Sequence, residues 1–177
     1  AGGVGLTAVE IGKAMGATVI ATAGGPDKLA IAREHGADHL IDYRAEDIRE
    51  RVKALTDGRG ADVVYDAVGG DAFDASLRSI NWNGRILIIG FAGGKVPQIP
   101  ANILLVKNIS AIGVNWGSYR KHDPALLAWS FDRLFGWYTE GRLRPHVSRT
   151  YPLAAAAEAL ADLRARKSTG KLVLTTG

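Results

Sequence analysis

The sequence predicts an α/β fold, in which a mainly parallel sheet is covered by helices on both faces. A Gly-Ala pair recurs at Gly16, Gly36 and Gly60, each time after a helix-like stretch and before a strand-like one. Glycine just past a helix end supplies the left-handed cap, after which a strand can begin. The spacing of these pairs fits a short strand plus a short helix, so the chain is predicted to repeat βαβ units.

The strand-like segments are short, rich in β-branched residues and apolar without strict alternation. This pattern is typical of parallel strands that are buried on both faces. The segments are Ala17–Ala23, Asp38–Asp42, Ala61–Val68, Arg85–Phe91, Asn108–Asn115 and Lys171–Thr175. Helices are predicted over Pro26–His35, Ala45–Leu55, Pro124–Thr139 and Leu153–Arg166, and Lys95–Pro100 is predicted to be a loop. Because no long linker interrupts this order, residues 1–177 are predicted to form one domain.

The composition and charge of the chain argue against several classes of protein. The chain has 177 residues, of which 47% are hydrophobic and 23% charged, as in ordinary globular domains. No apolar run approaches the roughly 18 residues that a membrane span needs, and no signal peptide opens the chain, so we expect a cytoplasmic protein without a membrane partner. The net charge of +4 is spread along the chain, with no basic stripe carrying interleaved aromatics, which argues against nucleic acid as a partner.

The opening residues Gly2, Gly3, Val4 and Gly5 run directly into a helical pattern. Gly2 and Gly5 have the spacing of the second half of a G-x-G-x-x-G loop, which brings backbone and a helix N-terminus against a dinucleotide pyrophosphate. The sequence therefore predicts a Rossmann-type, doubly wound sheet. The first glycine of the motif and the strand that feeds it would precede Ala1, so we expect a fold that lacks its first strand and belongs to a longer chain.

Several segments resemble the nucleotide-binding half of the medium-chain dehydrogenase/reductase superfamily. The closest resemblance is to its zinc-independent quinone oxidoreductase branch, whose members are typically NADPH-dependent. The segments are Ala1–Gly5 (AGGVG), Asp27–Asp42 (DKLAIAREHGADHLID), Tyr65–Gly70 (YDAVGG), Gly84–Gly94 (GRILIIGFAGG) and Ser168–Val173 (STGKLV). Together they cover essentially the whole chain, and their order is more specific than any one of them.

The resemblance implies a two-domain parent, in which an N-terminal barrel-like domain, absent here, holds most of the substrate pocket. This chain would bind the cofactor and carry the C-terminal return segment. Hydride would pass to a quinone or an α,β-unsaturated carbonyl, and no catalytic side chain is expected because the cofactor performs the chemistry. In this superfamily a strand near Asn108–Asn115 often pairs with its copy in a second subunit, which predicts a homodimer.

The end of the second strand of the motif bears on the choice between NADH and NADPH. NAD-binding chains place a carboxylate there for the ribose 2′-hydroxyl. Here the strand ends Ala23-Gly24-Gly25, and Asp27 has the position of a helix-start residue. By resemblance, Lys28, Tyr43 and Arg166 match residues that line the adenosine 2′-phosphate. The sequence therefore predicts NADPH as the cofactor.

By the same resemblance, three strand-end segments would face the ribose and the nicotinamide. Their alternative interpretations are simple turns at the glycines, a strand-end turn at the asparagine and an interface aromatic at the tryptophan. The segments are Val68 and Gly69, then Gly90, Phe91 and Ala92, then Val114, Asn115 and Trp116. Trp129, Trp137 and Tyr138 on the next helix are interpreted as core or interface packing.

The sequence gives little support for metal-dependent chemistry. Cysteine is absent, Gly36 interrupts the helix between His35 and His39, and His122 and His146 have no partner at ligand spacing, so no metal site is predicted. Two alternatives to a quinone or enone reductase stay open. One is an enoyl-thioester reductase with the same cofactor domain, and the other is an NADPH-binding module without catalytic activity.

Overall fold

A computed structural model of the chain describes residues 1–166 and 168–177. The helices are α1 (Gly3–Ala14), α2 (Pro26–Glu34), α3 (Ile48–Leu55), α4 (Gly70–Ser79), α5 (Ala101–Lys107), α6 (Tyr119–His122), α7 (Pro124–Thr139) and α8 (Ala156–Arg164). The strands are β1 (Ile20–Ala23), β2 (His39–Asp42), β3 (Ala61–Asp66), β4 (Ile80–Ile88), β5 (Ser110–Gly113), β6 (Val147–Pro152) and β7 (Lys171–Thr175). Short 3-10 turns occupy Trp116–Ser118 and Leu153–Ala155.

The chain divides into two compact units. The first unit comprises Ala1–Asp42 and Leu134–Gly177, and the second comprises Tyr43–Arg133. In the first unit β1 pairs with β2 and β6 pairs with β7, while in the second unit the order is β3-β4-β5, and every one of these pairings is parallel. The prediction of one domain over residues 1–177 stays a prediction.

The pairings match two parts of the Rossmann strand order 3-2-1-4-5-6. β2 and β1 correspond to positions 3 and 2, and β3, β4 and β5 correspond to positions 4, 5 and 6. Within the described part of the chain, no strand corresponds to position 1. The predicted α/β fold with a parallel sheet that lacks its first strand is therefore confirmed.

Gly16 and Gly36 follow the ends of α1 and α2 as predicted. Gly60 does not cap α3, which ends at Leu55 and is closed by the Gly58 N–H donating to the Lys53 carbonyl oxygen at 2.8 Å. Gly16, Gly36 and Gly60 have φ angles of +83°, +98° and +94°, in the left-handed region that favours glycine. Gly60 leaves no space for a side chain either, because a β-carbon built there would lie 2.4 Å from the Ser79 carbonyl oxygen.

The first unit has a small apolar core between α1, α2 and the β1-β2 pair. Its buried members are Leu6, Val9, Ala21, Ala32 and Ala37. Three of the five are alanines, whose small side chains allow helices to pack close to the short strands. The helix predicted at Pro26 is confirmed, with proline in the first turn, where its missing N–H costs nothing.

The core of the second unit lies on one face of its sheet. Phe73 and Leu77 from α4 pack on Ile86 of β4, with Val64 of β3 at the edge of the cluster. On the opposite face of β3, Val63 and Tyr65 are 45% and 46% exposed. Burial of both faces, expected from the apolar run, is thus not found for β3 among the described residues, because α4 and α5 contribute to the same cluster.

Several boundaries differ from the sequence prediction. β4 begins at Ile80 and not at Arg85, because the Asn-Gly step at Asn83 lies within the strand with a φ of +62°. The pairing of β3 with β4 shifts register at this point. The elements α4, α5 and β6 were not predicted. Trp129 and Tyr138 on α7 are exposed, so neither packs in a core of this chain.

One buried carboxylate joins distant parts of the first unit. Glu10 of α1 is only 6% exposed. Its Oε1 lies 2.7 Å from Nδ1 of His35, and the Arg144 backbone N–H donates to Oε1 and Oε2 at 3.1 and 3.2 Å. Because buried polar groups are costly unless satisfied, these contacts make Glu10 a structural residue.

We expect Glu10→Ala to lower the free energy of unfolding by about 3 kcal/mol, since it leaves the His35 ring and the Arg144 N–H without their acceptor. Thermal and denaturant unfolding, followed by circular dichroism, measures the change. Glu34→Ala is the matched control, because Glu34 is exposed on α2. Equal destabilisation by the two substitutions would show that the buried contacts of Glu10 contribute nothing.

Candidate functional site

The glycines that open the chain form the first turn of α1. Gly2 is the N-cap residue, with extended backbone, and the helix begins at Gly3. A β-carbon built on Gly2 or Gly5 would meet no atom within 4 Å, so both positions border open space. The first N–H groups of a helix have no partner within it and attract anions. Gly2, Gly3, Val4 and Gly5 are therefore placed as a phosphate-binding turn requires.

A lysine that the sequence analysis did not select lies beside this turn. Gly2 forms a parallel bridge with Gly170, which brings the start of β7 next to α1. A β-carbon on Gly3 would lie 2.5 Å from Cε of Lys171 and 3.1 Å from its Nζ. A side chain at position 3 would displace the flexible end of Lys171, whose ammonium group adds a cation near the helix N-terminus. In the sequence, Lys171 lies in the segment Ser168–Val173, which resembles the superfamily, but no role was predicted for this lysine.

Two of the residues predicted for the 2′-phosphate are in contact. Lys28 lies in the first turn of α2, and its Nζ donates to the carbonyl oxygen of Arg166 at 2.9 Å. Arg166 has a φ of +55°, just after α8. The third residue, Tyr43, is exposed and belongs to the second unit.

The loop after β1 carries no carboxylate of its own, as the sequence indicated, but a neighbouring strand supplies one. Asp42 at the end of β2 pairs in register with Ala23, and its Oδ1 accepts from the Gly25 N–H at 3.2 Å. Sequence reasoning missed this aspartate, because parallel pairing and not chain order brings it to the loop. It fixes the entry into α2, and hence the position of Lys28.

The remaining predicted residues follow three strand ends at one edge of the sheet of the second unit. Asp66, Ile88 and Gly113 are in register as the last residues of β3, β4 and β5. The segments Val68–Gly69, Gly90–Ala92 and Val114–Trp116 come directly after them. Ligands of open α/β sheets bind outside these carboxyl ends.

Backbone hydrogen bonds hold two of these loops together. Ala92 N–H donates to the Ala67 carbonyl at 3.1 Å, and Gly93 N–H donates to the Val68 carbonyl at 2.9 Å. A β-carbon on Gly69 would lie 2.6 Å from the Lys95 carbonyl oxygen and 3.3 Å from the Phe91 ring. Gly69 is therefore required by close packing, and the structure brings Val68, Gly69, Phe91 and Ala92 together. Gly90 lies beside them, where a β-carbon would be 3.7 Å from the Ala67 oxygen.

The third loop joins this edge through β4. Val114 N–H donates to the Ile88 carbonyl at 3.0 Å, and Asn115 precedes the following 3-10 turn without a capping side-chain hydrogen bond. Trp116 is partly exposed, with its ring centroid 5.7 Å from Tyr119 and 6.4 Å from Phe131. The tryptophan thus presents an aromatic surface held by two other rings.

Asp66 is a buried residue that the sequence analysis missed. It is 6% exposed, and its Oδ1 accepts from the N–H groups of Val68 at 2.8 Å and Gly69 at 3.1 Å. The carboxylate thereby shapes the turn between β3 and α4. The signal was available, since aspartate at a strand end followed by glycines is a common turn pattern.

None of the eight predicted residues at this edge ionises near neutral pH, because they are glycine, alanine, valine, asparagine, phenylalanine and tryptophan. They can bind and orient a flat ring through backbone groups and apolar surfaces. They cannot donate or accept a proton at neutral pH.

In the part of the chain that the structure describes, no helix is long and apolar enough to cross a membrane.

Comparisons with known proteins agree with this arrangement. The family model described as "Zinc-binding dehydrogenase" matches residues 3–131. A quinone oxidoreductase-like protein 2 homolog of Nematostella vectensis is 48% identical, over 99% of this chain and 48% of that protein. The quinone oxidoreductase of Pseudomonas aeruginosa is 39% identical, over 98% of this chain and 54% of that protein. The chain thus spans about half the length of these relatives.

The solved structure of Escherichia coli quinone oxidoreductase complexed with NADPH superimposes with a TM-score of 0.88. It is 33% identical, and the match covers 98% of this chain and 54% of that one. A nucleotide-binding fold of this type is therefore supported by both sequence and structure.

The family description mentions zinc, whose ligands in proteins are histidine, cysteine, aspartate and glutamate side chains. Among residues 1–166 and 168–177, no group of three or more histidine, cysteine, aspartate or glutamate side chains could hold a metal ion. The described side chains therefore do not fit a zinc site. The match over residues 3–131 and the relatives together show that the chain belongs to the medium-chain dehydrogenase/reductase superfamily, as a nucleotide-binding domain of its quinone oxidoreductase branch.

Proposed function

We propose that this chain binds NADPH and positions its nicotinamide for hydride transfer to a quinone or an α,β-unsaturated carbonyl. The observation that carries the proposal is the hydrogen bond from Lys28 to the main chain of Arg166, next to a β1 end that has no carboxylate of its own. The E. coli quinone oxidoreductase, described as complexed with NADPH, supports the same cofactor.

The phosphates of the cofactor have a suitable surface in the first unit. The pyrophosphate would lie against the N–H groups of Gly3, Val4 and Gly5, where open space at Gly2 and Gly5 allows close approach. Lys171 would add one positive charge beside it. This set of donors and small residues fits a dinucleotide.

For the 2′-phosphate, the proposal assigns Lys28 and the Arg166 side chain of the first unit, while the role of Tyr43, in the second unit, stays a prediction from the resemblance. The carboxylate of Asp42 is nearby, but it is engaged by the Gly25 N–H. A phosphate has three strong acceptor oxygens, whereas a ribose 2′-hydroxyl offers no charge to these cations. The preference for NADPH over NADH follows from this difference.

For the nicotinamide half, the proposal assigns the second unit's loops after β3, β4 and β5. When bound, the dihydronicotinamide ring supplies the hydride. Backbone groups near Val114 and Asn115 would orient its carboxamide, and Phe91 and Trp116 would exclude water from the ring. Asp66 would act through the backbone, by holding the loop at Val68 and Gly69.

The test is a paired fluorescence titration with NADPH and NADH, followed by turnover assays. It should be done on this chain and on the longest polypeptide that carries it, since the chain spans about half of its relatives. Turnover of quinones or simple enones supports the proposal, and turnover of an enoyl thioester alone would favour the enoyl reductase. NADPH binding without turnover of any of them would favour a module without catalytic activity.

Lys28→Ala should raise the Kd for NADPH by about tenfold or more and leave the Kd for NADH nearly unchanged, because one charge-assisted hydrogen bond to the 2′-phosphate is lost. The same titration measures both constants. Arg33→Ala is the matched control, since Arg33 is an exposed cation at the other end of α2. Equal losses for the two nucleotides would remove Lys28 from the phosphate site.

Gly5→Val should weaken NADPH and NADH together, by about tenfold or more, because its side chain fills the space that the pyrophosphate needs. The fold should be retained, as a β-carbon at Gly5 meets no neighbour. Gly136→Val is the control, because Gly136 on α7 also borders open space. Unchanged binding by the Gly5 variant would place the pyrophosphate elsewhere.

The proposal includes a cytoplasmic homodimer formed through β5. This strand is at one end of the order β3-β4-β5, and Ile112 on it is 40% exposed. An unpaired strand edge can extend a sheet through a twofold axis.

We expect Ile112→Asp to convert a dimer into a monomer in sedimentation experiments. A monomeric unmodified protein would contradict the proposed dimer.

A further inference from the structure

The second unit contains a cleft of about 350 Å³ whose lining is strongly basic. Five cationic side chains contribute to it, and no acidic residue does. The cations are Arg49, Lys53, Arg59, Arg78 and Lys107. Such a concentration of one sign of charge in a concave surface attracts anions.

The cleft lies at the amino ends of β3 and β4. Its floor includes Gly60, just before β3, and Ile80, the first residue of β4. The residues proposed for the nicotinamide follow the carboxyl ends of the same strands. Since a strand rises about 3.3 Å per residue, the six residues of β3 separate the two edges by about 20 Å. The cleft is therefore not part of the proposed cofactor surface of this unit.

Three of the cations have no anionic partner in the described chain. No carboxylate lies within 4 Å of the charged groups of Lys53, Arg59 or Arg78 among residues 1–166 and 168–177. Arg49 has only a long contact, 3.8 Å, with the exposed Glu50. These side chains are thus available to a ligand.

Helix ends account for only part of this charge. Lys53, Arg78 and Lys107 lie in the last turns of α3, α4 and α5, and Lys107 Nζ donates to the Leu77 and Arg78 carbonyls at 3.0 Å each. Each helix C-terminus carries about half a negative charge. Together the three helix ends carry about one and a half negative charges, which is less than the positive charge of the five cationic side chains.

Burial and the neighbouring positive charges both bear on the pKa of Lys107. Burial lowers the pKa of its ammonium group, and the neighbouring charges of Lys53 and Arg49 lower it further. Repulsion of this kind weakens when an anion lies between the cations.

We propose that this cleft binds a compact anion with two or more adjacent phosphoryl groups. Three arginine guanidinium groups can each bond two phosphate oxygens, a geometry that lysine cannot provide. The volume is at the small end of the range for ligand sites, which suits a di- or triphosphate and not a long polymer. One aromatic residue, Trp82, borders the cleft and is 66% exposed.

The test is calorimetric titration of the protein with inorganic pyrophosphate and tripolyphosphate. Arg59→Gln and Arg78→Gln should each raise the Kd for both anions by about tenfold. Added salt should weaken the binding, because the site is partly open to solvent. Both arginines are exposed, so their replacement should leave the melting temperature unchanged.

Two further variants separate this site from other sources of binding. Lys121→Gln removes an exposed cation outside the cleft, and Gly5→Val blocks the turn proposed for the NADPH pyrophosphate. Neither should change the affinity of the cleft for pyrophosphate. Loss of binding in the Gly5 variant with retention in the Arg78 variant would assign the anion to the first unit and overturn the proposal.

Trp82 gives a second measurement. Pyrophosphate should change the intrinsic fluorescence of the protein, and Trp82→Phe should abolish that change while the calorimetric Kd stays the same. Absence of pyrophosphate binding, or equal weakening by Arg78→Gln and Lys121→Gln, would overturn the proposal. Salt-sensitive binding of an RNA oligonucleotide that Arg78→Gln abolishes, without pyrophosphate binding, would also overturn it in favour of nucleic acid.

Discussion

Parallel pairing is the constraint on which the candidate site depends. In every sheet of the described chain the strands run in one direction, so their carboxyl ends share an edge. In the second unit this aligns Asp66, Ile88 and Gly113, and backbone hydrogen bonds join the loops after β3 and β4. In the first unit it places Asp42 beside Ala23. The location of the candidate residues at the strand ends therefore follows from strand direction.

The candidate cofactor surfaces are formed largely by backbone. Helix N–H groups at Gly3 and Gly5, and paired loops at Val68 and Ala92, offer hydrogen bonds that no side chain has to supply. Buried carboxylates, here Asp66, hold such loops in place. This division suits a protein in which a bound nucleotide performs the chemistry, because orientation and exclusion of water are then the main tasks of the chain.

Much of the fold could be predicted from the sequence, because apolar β-branched runs and helix-ending glycines are local signals. The start of β4 at Ile80 could not, since the Asn-Gly step that normally marks a turn lies inside the strand. The glycine turn and the strand-end loops were also recognisable. The roles of Lys171 and Asp42 were not, because each depends on a partner that is distant in sequence.

The acceptor in the Lys28 contact is the main-chain oxygen of Arg166, not its side chain. The hydrogen bond between α2 and the segment after α8 consequently does not depend on which side chain residue 166 carries. Only its left-handed backbone, with a φ of +55°, must be preserved, and asparagine or glycine adopt that conformation more readily than arginine. Homologous chains with another residue at position 166 would therefore keep this hydrogen bond, provided that the backbone conformation is retained.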